Sequence, residues 1–236
     1  MNKIVIVLAI VILVLIIILY KYFTSQTSTL VSVANLNKPP APITTIAEPT
    51  NVSYAYGIWV YVNSWNNGAP KTIFSNPGNL KVYLQPSAPT LCVDITMSPG
   101  SPQPTTTILV NTNFPLQKWV CIIVSVDNQY VDTYIDGKLL VSQRALVTSS
   151  AGSFPPATPP ATPSITLGNS STDNPPTWDA YVATFQRWTA PVNPQTAWST
   201  YTYGNSNSNL VNTLKSYNVD VTVLKNNIQQ TQFSLF

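Results

Sequence analysis

Apolar and polar residues alternate most regularly over residues 117–143, QKWVCIIVSVDNQYVDTYIDGKLLVSQ. The run 119–126 is β-branched and apolar, and Asp127-Asn128-Gln129 interrupts it with turn formers. Residues 131–135 then alternate with polar partners. Asp136-Gly137 supplies the pair a type I′ hairpin needs, because both central positions take positive φ. Residues 138–141 complete a three-strand antiparallel meander. Around it, short periodic runs recur at 53–62, 72–75, 80–85, 91–96 and 107–110, each bounded by Gly, Pro or Asn. Runs at 164–167, 180–188 and 217–224 continue the pattern. Strands at this spacing, with turn chemistry between them, predict an all-β fold: an antiparallel β-sandwich of the jelly-roll kind. Residues 194–203 read as a short helix with Asn193 as N-cap and Pro194 as its first residue. The proline repeat within 153–164 cannot donate to a ladder and is expected to be an exposed loop.

One stretch breaks the strand period. Residues 4–20, IVIVLAIVILVLIIILY, are apolar without interruption. A helix of that length spans roughly 25 Å, slightly under a hydrocarbon core of about 30 Å. Tyr20, Tyr22 and Phe23 extend it as an interfacial belt, and Lys3 and Lys21 can snorkel to the head groups. A cleavable signal peptide is the competing reading, but the run is longer than the usual apolar region and no small-x-small site follows it directly. The expectation is one N-terminal transmembrane helix over residues 1–23, with Ile4, Leu8, Ile12, Leu15, Ile18 and Tyr20 among its lipid-facing anchors. Residues 24–51, rich in Ser, Thr and Pro, read as an extended spacer. The sandwich is expected over 52–225. Residues 226–236 form a tail whose apolar FSLF end is expected to dock.

Composition narrows the chemistry. Charged residues make up 8% of the chain, against about 25% in an average soluble protein. Such a polar but nearly uncharged surface suits either packing against neighbours or a neutral extracellular module. Beyond residue 22 there are nine Lys and Arg (11 less Lys3 and Lys21) against eight acids, so no field exists to attract nucleic acid. Histidine is absent and the one glutamate is Glu48, in the spacer. Retaining glycoside hydrolysis needs two carboxylates about 5 Å apart, and no such cluster is visible, so no enzyme activity is expected. Zinc lacks its ligands, and no cofactor is expected. Calcium needs oxygen ligands alone; Asp173 and Asp179, flanking an Asn/Pro loop, could supply them, or that loop is simply solvated. Cys92 and Cys121 read as two buried thiols, with a single bridge as the alternative.

Trp59, Trp119 and Trp188 fall in strands and are expected in the core. Trp65 and Trp178 fall in loops, the former beside Asn66 and Asn67. Exposed indole next to amides would suit protein contact or a sugar face, and plain local packing is the remaining reading.

Several runs carry a family resemblance: Tyr56-Gly57-Ile58-Trp59-Val60, Lys71-Thr72-Ile73-Phe74-Ser75, Trp119-Val120-Cys121-Ile122-Ile123-Val124, the Tyr134-Ile135-Asp136-Gly137-Lys138 turn, Ile165-Thr166-Leu167-Gly168 and the closing 182–188 strand. In this order they resemble the concanavalin A-like lectin/glucanase superfamily in its laminin G-like form, over residues 52 to about 205. The resemblance implies two curved antiparallel sheets packed face to face. The layout of anchor, spacer, sandwich and Asn-rich tail is also similar to minor capsid components of large icosahedral DNA viruses with an internal membrane. That likeness implies a non-enzymatic virion protein, single-pass in the internal membrane, that contacts capsid proteins through its sandwich. Trp65, Trp178, the 153–164 loop and the 226–236 tail would be its contact pieces. The alternative is a membrane-tethered lectin at the cell surface that binds glycans through loop aromatics.

Overall fold

The computed structural model describes residues 27–205, with residues 12, 14–16, 220–225 and 228–234 beyond them. The first strands are β1 (Thr27–Asn35), β2 (Ser53–Val62), β3 (Lys71–Asn76), β4 (Leu80–Leu84), β5 (Leu91–Thr96) and β6 (Thr105–Asn111). The meander follows as β7 (Trp119–Asp127), β8 (Tyr130–Ile135) and β9 (Lys138–Arg144). Next come β10 (Val147–Ser149), β11 (Gly152–Phe154), β12 (Thr166–Leu167), β13 (Ala180–Trp188) and helix α1 (Pro194–Tyr203). The last pair is β14 (Asp220–Lys225) and β15 (Ile228–Ser234). One sheet runs β1-β13-β2-β7-β8-β9 and the other β12-β3-β4-β5-β6. All their pairings are antiparallel.

The meander forms where the alternation placed it, with Ile122 opposite Ile135 and Val126 opposite Val131. Asp136 and Gly137 take φ of 49° and 75°, as a type I′ turn requires. The main core lies between the sheets. It joins Tyr56, Ile58 and Val60 of β2 and Ile122 and Val124 of β7 to Ile73, Val82, Val93 and Ile108 of the smaller sheet.

A second apolar cluster covers the outer face of the larger sheet. Ala55, Trp59, Cys121, Ile123 and Trp188 point outward there, beneath Val192 and Ala197. This explains a difference in the sequence. β2 and β7 are buried on both faces and read as nearly continuous apolar runs, whereas β4, bare on one face, alternates. Two glycines permit the close approach. A Cβ on Gly57 would lie 2.8 Å from the Trp188 ring, and one on Gly137 would lie 3.0–3.1 Å from Trp198 and Tyr201 of α1. Trp119, expected in the core, is only half-buried at the edge of this cluster, tilted against Tyr61 with ring centroids 5.6 Å apart.

The stretch expected to be a spacer is largely part of the domain. β1 pairs with β13 from Thr27–Trp188 to Asn35–Tyr181, and Leu36 is fully buried. Residues 36–51 then form a strap. Ile43 is bridged to Ile165, and the buried Arg187 donates to the carbonyls of Ala47 (2.5 Å) and Glu48 (3.0 Å). That guanidinium also lies 5.9 Å from the ring centroids of Tyr54 and Tyr56. The 153–164 segment also departs from expectation. Pro159 and Pro163 are buried, and Pro156 bridges Met97. Prolines can line a ladder through their carbonyls, and Pro155 accepts from Ser98 N at 2.8 Å.

The boundary set at residue 225 falls at the end of β14, between two strands that pair with each other. Ile4, Leu8, Ile18 and Tyr20 lie outside the described residues; Ile12 and Leu15 are helical and about half exposed. Among the described residues no helix is long and apolar enough to cross a membrane.

Candidate binding surface

The loops carrying the expected contact residues do meet, at the rim where β2 leads to β3 and residues 169–179 return. They build a closed corner there. Trp178 is 6% exposed, belongs to the main core and donates from Nε1 to the Thr72 carbonyl at 2.8 Å. It is a packing residue and not an exposed platform. Trp65 is half-buried against the same core, and its ring is covered by Lys71 Nζ at 4.1 Å. Lys71 is itself buried and donates to the carbonyls of Asn66, Ala69 (2.7 Å) and Pro86 (3.3 Å). Burial pushes its pKa down, while three carbonyls and an aromatic face solvate the charged form. Asn66 and Asn67 are exposed. The hollow between these loops is about 200 Å³, with Asn66, Lys71 and Trp178 on its walls.

Asp179 shares this rim. It accepts from Ser64 Oγ (2.7 Å), Asn63 Nδ2 (2.7 Å) and Asn37 Nδ2 (3.1 Å). These donors, led by Ser64 and Asn63, hold its carboxyl below the usual range. A carboxylate already filled by neutral donors ties three segments together and is poorly placed for calcium. Asp173 accepts from Ser170 N at 2.7 Å within its own loop. Among the described residues, no three His, Cys, Asp or Glu side chains converge as a metal set.

The outer face of the smaller sheet is different. Register places Thr166 opposite Ser75, Ser75 opposite Lys81, Lys81 opposite Asp94, and Asp94 opposite Thr107. One polar stripe therefore crosses all five strands, from β12 to β6. Its members are half-buried or exposed, and none lies under a helix. Asp94 accepts on Oδ1 from Thr107 Oγ1 (2.7 Å) and Tyr83 OH (3.2 Å). The β12 end of the stripe opens into a groove of about 470 Å³, walled by Pro39, Pro42, Thr166, Ser75, Lys81 and Asp173. Hydroxyls, a carboxylate and an ammonium thus sit beside proline rings. Such a surface can exchange hydrogen bonds with a polyhydroxylated ligand and cover its C–H faces.

A more open hollow of about 390 Å³ lies on the other sheet beside residues 191–194, where Asp132 and Tyr130 face it. Its floor is already engaged: Ser125 Oγ accepts from Val192 N at 2.8 Å, and Tyr134 OH donates to the Val192 carbonyl at 3.3 Å. Cys92 and Cys121 are free, buried thiols in different sheets, so the bridge does not form.

Solved structures with this fold include several toxin binding domains. One is the binding domain of Botulinum neurotoxin DC in complex with rat synaptotagmin II, 12% identical over 73% of this chain and 46% of that one, with a TM-score of 0.51. A second is the binding domain of Paraclostridial Mosquitocidal Protein 1, 12% identical over 77% and 48%, with a TM-score of 0.53. A third is the Botulinum neurotoxin serotype D ligand binding domain in complex with N-acetylneuraminic acid, 9% identical over 74% and 46%, with a TM-score of 0.52. At these identities the likeness is one of fold, and the chain spans less than half the length of each. No curated protein matches the chain by sequence. Residues 38–197 match the concanavalin A-like lectin/glucanases superfamily, a span that starts in the strap and ends in α1. With two antiparallel sheets in that arrangement and most of its length inside the match, the chain belongs to the concanavalin A-like lectin/glucanases superfamily.

Proposed function

We propose that the chain is a non-catalytic carbohydrate-binding module, tethered to a membrane by residues 4–20, that takes a glycan across the outer face of its five-stranded sheet. The observation that carries this reading is the stripe Thr166–Ser75–Lys81–Asp94–Thr107, continuous in register on the outer face that α1 leaves bare. Sugars present alternating donors and acceptors on a partly apolar ring, and the stripe with its proline-walled groove offers the complementary set. Family membership supports the reading, as does a fold shared with a domain solved in complex with N-acetylneuraminic acid. The lack of histidine and the isolation of Glu48 in the strap support binding without hydrolysis.

A glycan array probed with the full chain in detergent micelles tests it. Selective binding is expected, weakened about tenfold or more by Asp94→Ala or Thr166→Val, since each removes about one hydrogen bond to ligand, stronger where charge is involved. Thermal midpoints should stay within a few degrees of the parent. Absence of any selective glycan, or binding indifferent to both substitutions, contradicts the proposal.

A second reading has an observation of its own. Leu139, Leu140, Trp198 and Tyr203 are each 45% or more exposed, on β9 and α1. On a chain with so few charges, this apolar ledge suits protein contact in an assembly, as a structural virion component at an internal membrane would need. Recovery with purified particles, and loss on Trp198→Ala, would favour it.

A further inference from the structure

Among the charges along the sheet face, the cation is placed differently from the acids. Asp94 has one carboxylate oxygen engaged from both neighbouring strands, by Thr107 of β6 and Tyr83 of β4. Asp173, on the far wall of the groove, has an oxygen engaged by Ser170 N. Lys81 stands between them with its Nζ 5.2 Å from the Tyr83 ring centroid, within the groove wall. Among the described residues the one ion pair is Lys118 with Asp136 at 3.6 Å, so no carboxylate lies within 4.0 Å of Lys81 Nζ. No protein acceptor among the described residues takes its hydrogens either. The contrast with Lys71 is direct, since that ammonium spends its donors on three carbonyls.

Lys81 is half-buried, its ammonium is braced on an aromatic face, and its cross-strand neighbours are Ser75 and an Asp94 already engaged by Thr107 and Tyr83; without an ion pair of its own, that ammonium can receive an anion. We infer that the groove selects acidic glycans, with the anionic group of a sugar (a carboxylate or a sulfate ester) seated on Lys81 Nζ and the neighbouring Ser75 hydroxyl. The inference rests on the carbohydrate-binding reading and adds the charge class of the ligand. One ammonium matches one negative charge, and Asp94 and Asp173 on either side disfavour a second. The site should therefore take a singly acidic residue over a polyanion. An acid meets the Lys81 ammonium with an ionised acceptor, whereas a hydroxyl offers it only a neutral one, so the acid is the stronger partner.

The test is calorimetric titration of the full chain in micelles with four probes on one oligosaccharide frame: a terminal hexuronate, its methyl ester, the sulfated hexose and the neutral hexose. The hexuronate or the sulfated hexose should bind about tenfold or more tighter than the neutral hexose, and the preference should shrink as salt rises. The hexuronate and sulfate arms identify which anionic group is preferred. Lys81→Gln should abolish the preference, so that acids and neutral hexose bind within about twofold of one another, and Lys81→Arg should retain it. If the neutral hexose and the methyl ester bind as tightly as the acids, or if Lys81→Gln keeps the preference, the inference is overturned and the carbohydrate reading stands. If none of the four binds and the array is also blank, both fall.

Discussion

Cys121 lies on the outer side of β7 beneath α1, and burial, with the Asp136 charge adding to it, pushes its thiol up to about 12. Cys92 is pushed up as well, by burial and then by Asp94. A thiol so far above its ordinary range stays protonated and unreactive at neutral pH. Neither cysteine should react with a maleimide in the native protein at pH 8, and both should react in denaturant; rapid native labelling of Cys121 would place it elsewhere. Trp178 makes a second prediction at this scale. Trp178→Ala should cost about 3–5 kcal/mol as a core truncation, whereas substitution of a surface lectin aromatic would leave the denaturation midpoint almost unmoved. Trp178 is the loop residue its Asn/Pro neighbours suggest, but those neighbours made it look exposed, whereas it is buried. That residues 169–179 fold back onto β3, bringing its indole to the Thr72 carbonyl, is a long-range fact. Asn193, by contrast, was legible because capping is local: its side chain accepts from Thr196 N at 2.8 Å, three residues on.

β1 shows how an element can hide. TSTLVSVAN carries alternating β-branched residues, but it lies between an apolar run and a proline cluster and looks like a polar tether. Its place is decided by β13, whose outer edge would otherwise be an unpaired row of backbone groups. Hydrogen exchange should find amides of residues 27–35 that pair with β13 strongly protected. Deletion of residues 1–35 should lower the thermal midpoint by about 5 °C or more, taking roughly 2–4 °C per kcal/mol for a chain of this size. Exchange as fast as in an unfolded segment would contradict the pairing. The strands of the meander were legible for the opposite reason: their partners are neighbours in sequence and the Asp136-Gly137 turn fixes their register. The stripe on the smaller sheet sits between these cases. Its residues occupy outward positions that alternation reveals strand by strand. Their alignment into one row depends on pairings between distant segments, above all β12 with β3, and on a register that no single strand encodes.

The two outer faces divide the molecule's labour. One is sealed by α1 and by Trp59 and Trp188, leaving an apolar ledge at its margin; the other remains open, polar and grooved. Low overall charge leaves such a surface without a strong long-range field, so selectivity there must come from local pairing, with Lys81 and Asp94 as its charged members. In the proposed tethered arrangement, the apolar segment 4–20 gives a direct consequence. The full chain should partition into the detergent-rich phase of a cloud-point separation, and a chain lacking residues 1–23 should stay in the aqueous phase; equal partitioning would leave the tether unsupported. The binding face itself is best located by amide chemical-shift mapping of the labelled full chain during titration with the tightest oligosaccharide from the array. The shifts should gather at residues 75, 81, 94, 107 and 166 along the five-stranded sheet. Shifts confined to α1 and β9, or no shifts at saturating sugar, would contradict a glycan-binding role for that sheet.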